Sequence, residues 1–255
     1  MKFVGIDLAW SPRNNSAVSV IDGNIRKGTL ASYKAKLKSN KDITDYVVGI
    51  LGGEKAWVAI DAPLVVPNLH GYRLADRLTT DLFRKYEAGT HPANRTHLKK
   101  YGGLRGEDLA KMFEELGFRH NPYVKPKTES NAVFEVYPHP AIVVFFSLDK
   151  TLKYKPRANR DYAFRWNEFR KYQKHLSTLK SKKPPLEIPD DIIQTNVSKL
   201  KGKSLKEYED LLDSIICSYI GYYYWFWGQE KCSVLGNMEK GYILTPVFDY
   251  MKTFK

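Results

Sequence analysis

The run Val4-Gly5-Ile6-Asp7-Leu8-Ala9-Trp10 places one carboxylate inside an apolar, strand-like stretch. A strand built only for packing avoids such a residue, because a buried carboxylate without a partner costs several kcal/mol. The flanking pattern narrows the fold further. Residues 2–9 read as a strand and residues 17–21 alternate into a second. Asp22-Gly23-Asn24 follows as a hairpin signal, since Asp-Gly readily supplies the positive φ angles of tight turns. Residues 25–32 make the third strand. The chain thus opens on a three-stranded antiparallel meander with Asp7 on its first strand.

Strands and helices then alternate. A helix over 41–51 closes at Gly52-Gly53, and an apolar run at 56–63 ends in Asp61 before Pro63. Helical patterns at 72–88 and 106–116 stop at Gly89 and Gly117. Residues 131–140 read as a strand that ends at Pro138 and carries a second embedded acid, Glu135. A basic, aromatic helix spans 158–179, and a proline-rich stretch at 181–191 breaks it off. The last helix starts at a capping box formed by Ser204 and Glu207 and runs to Trp227. Its apolar segment is much shorter than the roughly 20 residues that span a bilayer, so a buried helix is expected and no membrane anchor. The order predicts an α/β fold in one domain over 1–255, with a helical insertion at 64–130 and a basic helical segment at 150–206.

Charge points to a polyanionic partner. The 255 residues carry 41 Lys and Arg against 28 Asp and Glu, a net charge of +13. Between Lys150 and Lys206, 16 basic residues face 5 acidic ones, so this segment holds nearly all of the excess. Aromatic residues interleave there with Arg157, Arg160, Arg165, Arg170, Lys171 and Lys174, which are candidates for tracking a phosphate backbone. Trp166, Phe169, Leu176 and Leu179 follow a helical stripe and belong to the core. With two cysteines, Cys217 and Cys232, there is no disulfide framework and no zinc spacing. The N-terminal apolar stretch is too interrupted for a signal peptide, so a cytoplasmic setting is expected.

Four further acids join Asp7 by context: Asp61 at a strand end, Glu135 within a strand, and Asp210 and Asp213 three residues apart on the last helix. The apolar arc of that helix centres on Leu212, Ile216 and Tyr219, with Asp213 at its edge and Asp210 toward solvent. The strands hold no Lys or Arg to pair with their acids. Carboxylates gathered without counter-charge either rise in pKa or share a cation. Oxygen donors without Cys or His suit Mg²⁺ or Mn²⁺, and two such ions would support hydrolysis of phosphodiester bonds.

The motifs Gly5–Trp10 ("GIDLAW"), 58–63 ("VAIDAP"), 134–140 ("FEVYPHP") and 208–221 ("YEDLLDSIICSYIG") resemble, in that order, a predicted nuclease family, domain of unknown function 429 (DUF429). The resemblance runs from Phe3 to about Trp227. It implies an RNase H-like fold with a five-stranded mixed sheet of order 3-2-1-4-5, which sets the first and fourth strands side by side and parallel. It further implies Asp7, Asp61 and Asp213 as ligands of two Mg²⁺ or Mn²⁺ ions. Asp210 and Asp213 reproduce the D-x-x-D pair of resolvases in the wider superfamily, and Glu135 matches an acid that ligates or orients. The implied activity is metal-dependent cleavage of DNA or RNA.

Two other functions compete. An ATP-dependent phosphotransferase of the sugar-kinase and actin type shares the sheet topology but needs glycine-rich hairpins around phosphates, and the first hairpin offers Pro12, Asn14 and Asn15 instead. A non-catalytic nucleic-acid-binding module would leave the acids structural. Among the histidines, His91 and His97 lie on the insertion, and His139, between two prolines just past Glu135, is placed to orient a ligand or handle a proton.

Overall fold

A computed structural model describes residues 1–253. Strands β1 (Lys2–Asp7), β2 (Ser16–Gly23) and β3 (Gly28–Leu37) form the antiparallel meander. Its turn lies two residues later than the Asp-Gly signal. Gly23 pairs with Gly28 inside the ladder, and the chain reverses over 24–27, where Asn24 Oδ1 accepts the N–H groups of Arg26 and Lys27. The two glycines serve packing: a Cβ on Gly23 would lie 2.9 Å, and one on Gly28 2.6 Å, from the Tyr222 ring.

Helix α1 (Asn40–Leu51) begins at a capping box of Ser39 and Asp42 and ends on left-handed Gly52. Strand β4 (Ala56–Asp61) follows. Helix α2 (Leu74–Phe83) gives way to a 3₁₀ turn at Arg84–Tyr86, so it is shorter than the 72–88 pattern. After α3 (Arg95–Lys99), α4 (Arg105–Glu115) and the two-residue strand β5 (Arg119–His120) comes β6 (Ala132–Glu135). Pro138 opens helix α5 (Pro138–Phe146) and does not end a strand, since the first helical position needs no N–H.

Helix α6 (Tyr162–Ser177), strand β7 (Leu186–Glu187) and helix α7 (Asp190–Ile193) lead to α8 (Gly202–Trp227), and β8 (Cys232–Asn237) and β9 (Gly241–Pro246) form a separate hairpin. The start of α8 differs from the expected capping box. Ser204 already lies within the helix, where its Oγ accepts the Lys201 N–H, and Glu207 pairs with Lys36.

The architecture is α/β with a mixed sheet of order β5-β6-β4-β1-β2-β3-β7. Seven strands stand where five were expected, because β5 and β7 add two-residue strands at the edges. Helices α1 and α4 cover one face, with Ile43, Val47, Leu109 and Phe113 packed on Val4, Ile6, Val58 and Ile60. Helix α8 crosses the other face, beneath α5 and α6, with Phe3, Trp57 and Phe134 in that core. Buried between two layers, α8 hides nearly all its residues from Tyr208 to Phe226, so no simple apolar arc describes it. Among the described residues no helix is long and apolar enough to cross a membrane.

One glycine sets how closely α8 approaches. A Cβ on Gly5 would lie 2.1 Å from both Ser214 O and Ser218 N, so only glycine allows β1 and α8 to touch backbone to backbone. Ser19 on β2 completes the contact, donating to Ser214 O at 2.8 Å and meeting Ser218 Oγ at 2.9 Å. This closeness brings the acids of α8 over the end of β1.

Candidate functional site

The period of two along each strand decides which acids meet. Phe3, Gly5 and Asp7 face α8, as do Trp57, Ala59 and Asp61. Strands β1 and β4 are parallel with Asp7 directly opposite Asp61, so the two carboxylates end adjacent strands on the same face. Glu135 pairs in register with Ile60, one position off, and its pleat turns it the other way.

There Glu135 belongs to a buried ion network. Arg73, at the start of α2, donates to it from Nη1 at 2.9 Å and from Nη2 at 2.7 Å, and also from Nη2 to Asp76 at 2.9 Å. The Leu64 N–H adds a bond to Glu135 at 2.8 Å. Burial pushes the Glu135 carboxyl up, against the pull of Arg73, while Glu135 and Asp76 outweigh burial and raise Arg73. The network ties the segment after β4 to the sheet and forms one wall of a cleft of about 960 Å³.

Asp7, Asp61, Glu209 and Asp210 line the floor of that cleft, and Arg13, Lys38, Arg157, Lys203 and Lys206 line its sides. Asp213 does not line it. Fully buried, Asp213 accepts from Tyr154 Oη at 2.6 Å and Tyr172 Oη at 3.2 Å through Oδ1, and its Oδ2 lies 2.9 Å from Lys155 Nζ. Burial would raise its pKa, but Lys155 and Tyr154 hold it below the ordinary value. Asp210 is the helix acid that reaches the floor beside Asp7, tethered to Lys206 Nζ at 2.6 Å.

The expectation that these acids lack counter-charges is therefore corrected. Cations arrive from outside the strands: Lys155 at Asp213, Lys206 at Glu209 and Asp210, and Arg165 at Glu209. Three cations serve five carboxylates, and the two left over are Asp7 and Asp61. Burial and Asp210 raise the Asp7 carboxyl well above its ordinary value, and burial raises Asp61 to about 7 despite Lys155. Asp213 Oδ2 lacks a hydrogen bond but keeps its ion pair to Lys155, whereas Asp7 Oδ2 is buried with neither.

That orphaned oxygen and the all-oxygen donor set fit one hard divalent cation, whose charge matches the pair left uncompensated. The fit is to Asp7 and Asp61, with Asp210 in reach. Asp213 Oδ1 accepts from two hydroxyls, and its Oδ2, which also lacks a hydrogen bond, faces the Lys155 ammonium. Among the described residues, no group of three or more His, Cys, Asp or Glu side chains already converges as a cage for an ion.

The basic segment divides. Arg157 is exposed and lines the cleft. Arg160 also lines it but donates to the carbonyls of Lys153 and Lys155. Arg165 turns inward to Glu209 and to Tyr154 O, so it is unavailable to a phosphate, contrary to expectation. Arg170 bonds Asn167, Lys171 bonds Glu168, and both, with Lys174, are exposed away from the cleft. Phe169, Leu176 and Leu179 are core as their spacing indicated, and Trp166 packs half-buried against them.

His139 lines the cleft, stacks on Tyr154 and lies 3.4 Å from Thr151 Oγ1; burial lowers its imidazole to about 3, so the ring is neutral. His91 lies on the rim, and His97 packs between Trp10 and Tyr101. The residues that sequence reasoning passed over are Lys155, Lys206, Arg73, Asp76 and Glu209. Helical spacing signals Lys206 with Asp210 and Arg73 with Asp76, but nothing local signals Lys155.

A family model described as "Protein of unknown function (DUF429)" matches residues 5–240. None of the curated proteins matches the chain.

Proposed function

The chain belongs to the DUF429 family, and from that membership and the cleft we propose an RNase H-like, divalent-metal-dependent nuclease that hydrolyses phosphodiester bonds. The observation that carries this reading is the pair Asp7 and Asp61, side by side at the cleft floor without an ion-pair partner among the described residues. Asp7, Asp61 and Asp210 would hold Mg²⁺ or Mn²⁺. Bound there, the ion would neutralise charge at the phosphate and lower the pKa of a water molecule.

The chain's own residues supply the rest. Basic side chains at the rim, Arg13, Lys38, Arg157 and Lys203, draw a polyanion over the floor. The floor acids repel a phosphate until a cation is present, which makes the ion a condition for productive binding. Lys206 is about half exposed on a flexible stem and pairs with both Glu209 and Asp210, so it can exchange Asp210 for a phosphate oxygen when the ion arrives. Tyr154 and Lys155 keep Asp213 ionised, and its field stabilises positive charge above it.

The test is cleavage of a mixed panel of DNA and RNA substrates with Mn²⁺ or Mg²⁺. The parent is expected to cut at least one substrate, and Asp7→Asn and Asp61→Asn to lose activity by orders of magnitude while remaining folded. Variants that cut as well as the parent would overturn the reading. A parent that binds nucleic acid but never cuts it would point to a non-catalytic module.

A further inference from the structure

We propose that the ammonium group of Lys155 takes the place of a second cation, so that the site holds one divalent ion, at Asp7 and Asp61, and not two. The inference rests on the metal-dependent reading above and concerns the number of ions. Lys155 Nζ lies 2.9 Å from Asp213 Oδ2, the α8 carboxylate expected from the sequence to share in holding two ions. The other oxygen of Asp213 is already shared by Tyr154 and Tyr172. An ion at Oδ2 would have to stand where the Lys155 ammonium is, and one at Oδ1 would have to displace two hydroxyls.

Lys155 is also held in place, unlike Lys206. Its neighbour Tyr154 is fully buried, packed on Phe169, Tyr172 and His139. Arg165 Nε donates to Tyr154 O at 2.8 Å, and Arg160 Nη1 donates to Lys155 O at 3.1 Å. Pro156 follows directly and restricts the Lys155 backbone to extended conformations. Lys206 has a side chain 53% exposed, against 31% for Lys155, and hangs from one helical face. One lysine is a fixed part of the charge pattern and the other a removable one. Two strand carboxylates then remain for the ion, which is the complement of a single dication.

The experiment is titration of the full chain with MnCl₂, with bound Mn²⁺ counted from the loss of the free-ion electron paramagnetic resonance signal and the bound spectrum recorded at low temperature. The parent should bind one Mn²⁺ per chain with the spectrum of an isolated ion. Lys155→Met should bind two and show spin coupling, Lys155→Arg should keep one, and Lys155→Met/Asp213→Asn should return to one. Two coupled ions in the parent, or a single ion in folded Lys155→Met, would overturn the role of Lys155 and leave the nuclease reading standing. A parent that binds no Mn²⁺ would overturn the metal-dependent reading itself. Should Lys155→Met fail to fold, the count in the parent decides between one ion and two.

Discussion

Asp7 and Asp61 stand opposite each other in the parallel register of β1 and β4, and no Lys, Arg or His forms an ion pair with either among the described residues. The carboxylates nearby on α8 have lysine or arginine partners; these two do not. Neutralising one of them should therefore relieve the ion-free protein. Asp7→Asn is expected to raise the melting temperature in EDTA by roughly 2–4 °C, the response of a chain this long to about 1 kcal/mol. The stabilisation that Mn²⁺ gives the parent should be lost in the same variant. Thermal melts with and without Mn²⁺ check both; a destabilised variant in EDTA would mean that Asp7 is a structural acceptor.

The same charge pattern gives stability a direction with pH. Burial raises Asp61 from an ordinary value of 3.8 to about 7. Below the ordinary value the group is protonated whether the chain is folded or not, and it costs nothing. Between the two values the unfolded chain releases the proton and the folded chain retains it. Stability thus falls as pH rises from about 4 to about 7, by at most about 1.4 kcal/mol per pH unit from this group. Urea midpoints across that window, taken in EDTA, should fall less steeply for Asp61→Asn than for the parent.

Arg73 faces the opposite situation, with two buried carboxylates depending on it. Arg73→Leu leaves Glu135 and Asp76 without their cation and should cost roughly 3–5 kcal/mol in equilibrium unfolding. Adding Glu135→Gln should recover part of that loss, because one of the stranded charges is removed. An Arg73→Leu variant as stable as the parent would show that the network contributes nothing.

Gly5→Ala places a methyl group against the backbone of α8, with no flexible side chain to give way. The helix must move off β1, at a cost of about 3 kcal/mol. Since α8 carries Asp210, Mn²⁺ affinity should fall together with stability. Calorimetric melts and Mn²⁺ titration of the folded fraction test this.

Polynucleotide binding should weaken steeply with salt. Arg157→Gln with Lys203→Gln should reduce the slope of log K against log salt by roughly 0.7–0.9 for each phosphate that the protein no longer neutralises. Arg170→Gln with Lys174→Gln, away from the cleft, should leave the slope nearly unchanged. Fluorescence anisotropy with a labelled oligonucleotide across a salt series separates the two; equal effects would mean that the outer face of α6 also binds.

Local pattern makes much of the chain legible from its residues alone. Apolar runs mark β1 and β4, alternation marks β2, glycine stops mark α1 and α4, and a carboxylate in an apolar run singles out Asp7 and Asp61. Those features lie in the sequence because burial and backbone geometry act on neighbouring residues. Helix α5 is hidden because Pro138 fits a helix start as well as a strand end.

By itself the sequence determined which residues are acidic, that β1, β2, β4 and β6 are strands, and that two aspartates belong to apolar runs. Only the tertiary structure decided their company. Lys155 meets Asp213 from 58 positions away, and Arg73 meets Glu135 from 62. Register turns Glu135 from the face of Asp61, and the bare backbone of Gly5 lets α8 come down on β1. Charge acts through space, and its effect depends on distance and burial that no local periodicity encodes. The acids could be read one by one, but which of them would be left without a cation was settled only when the helices packed.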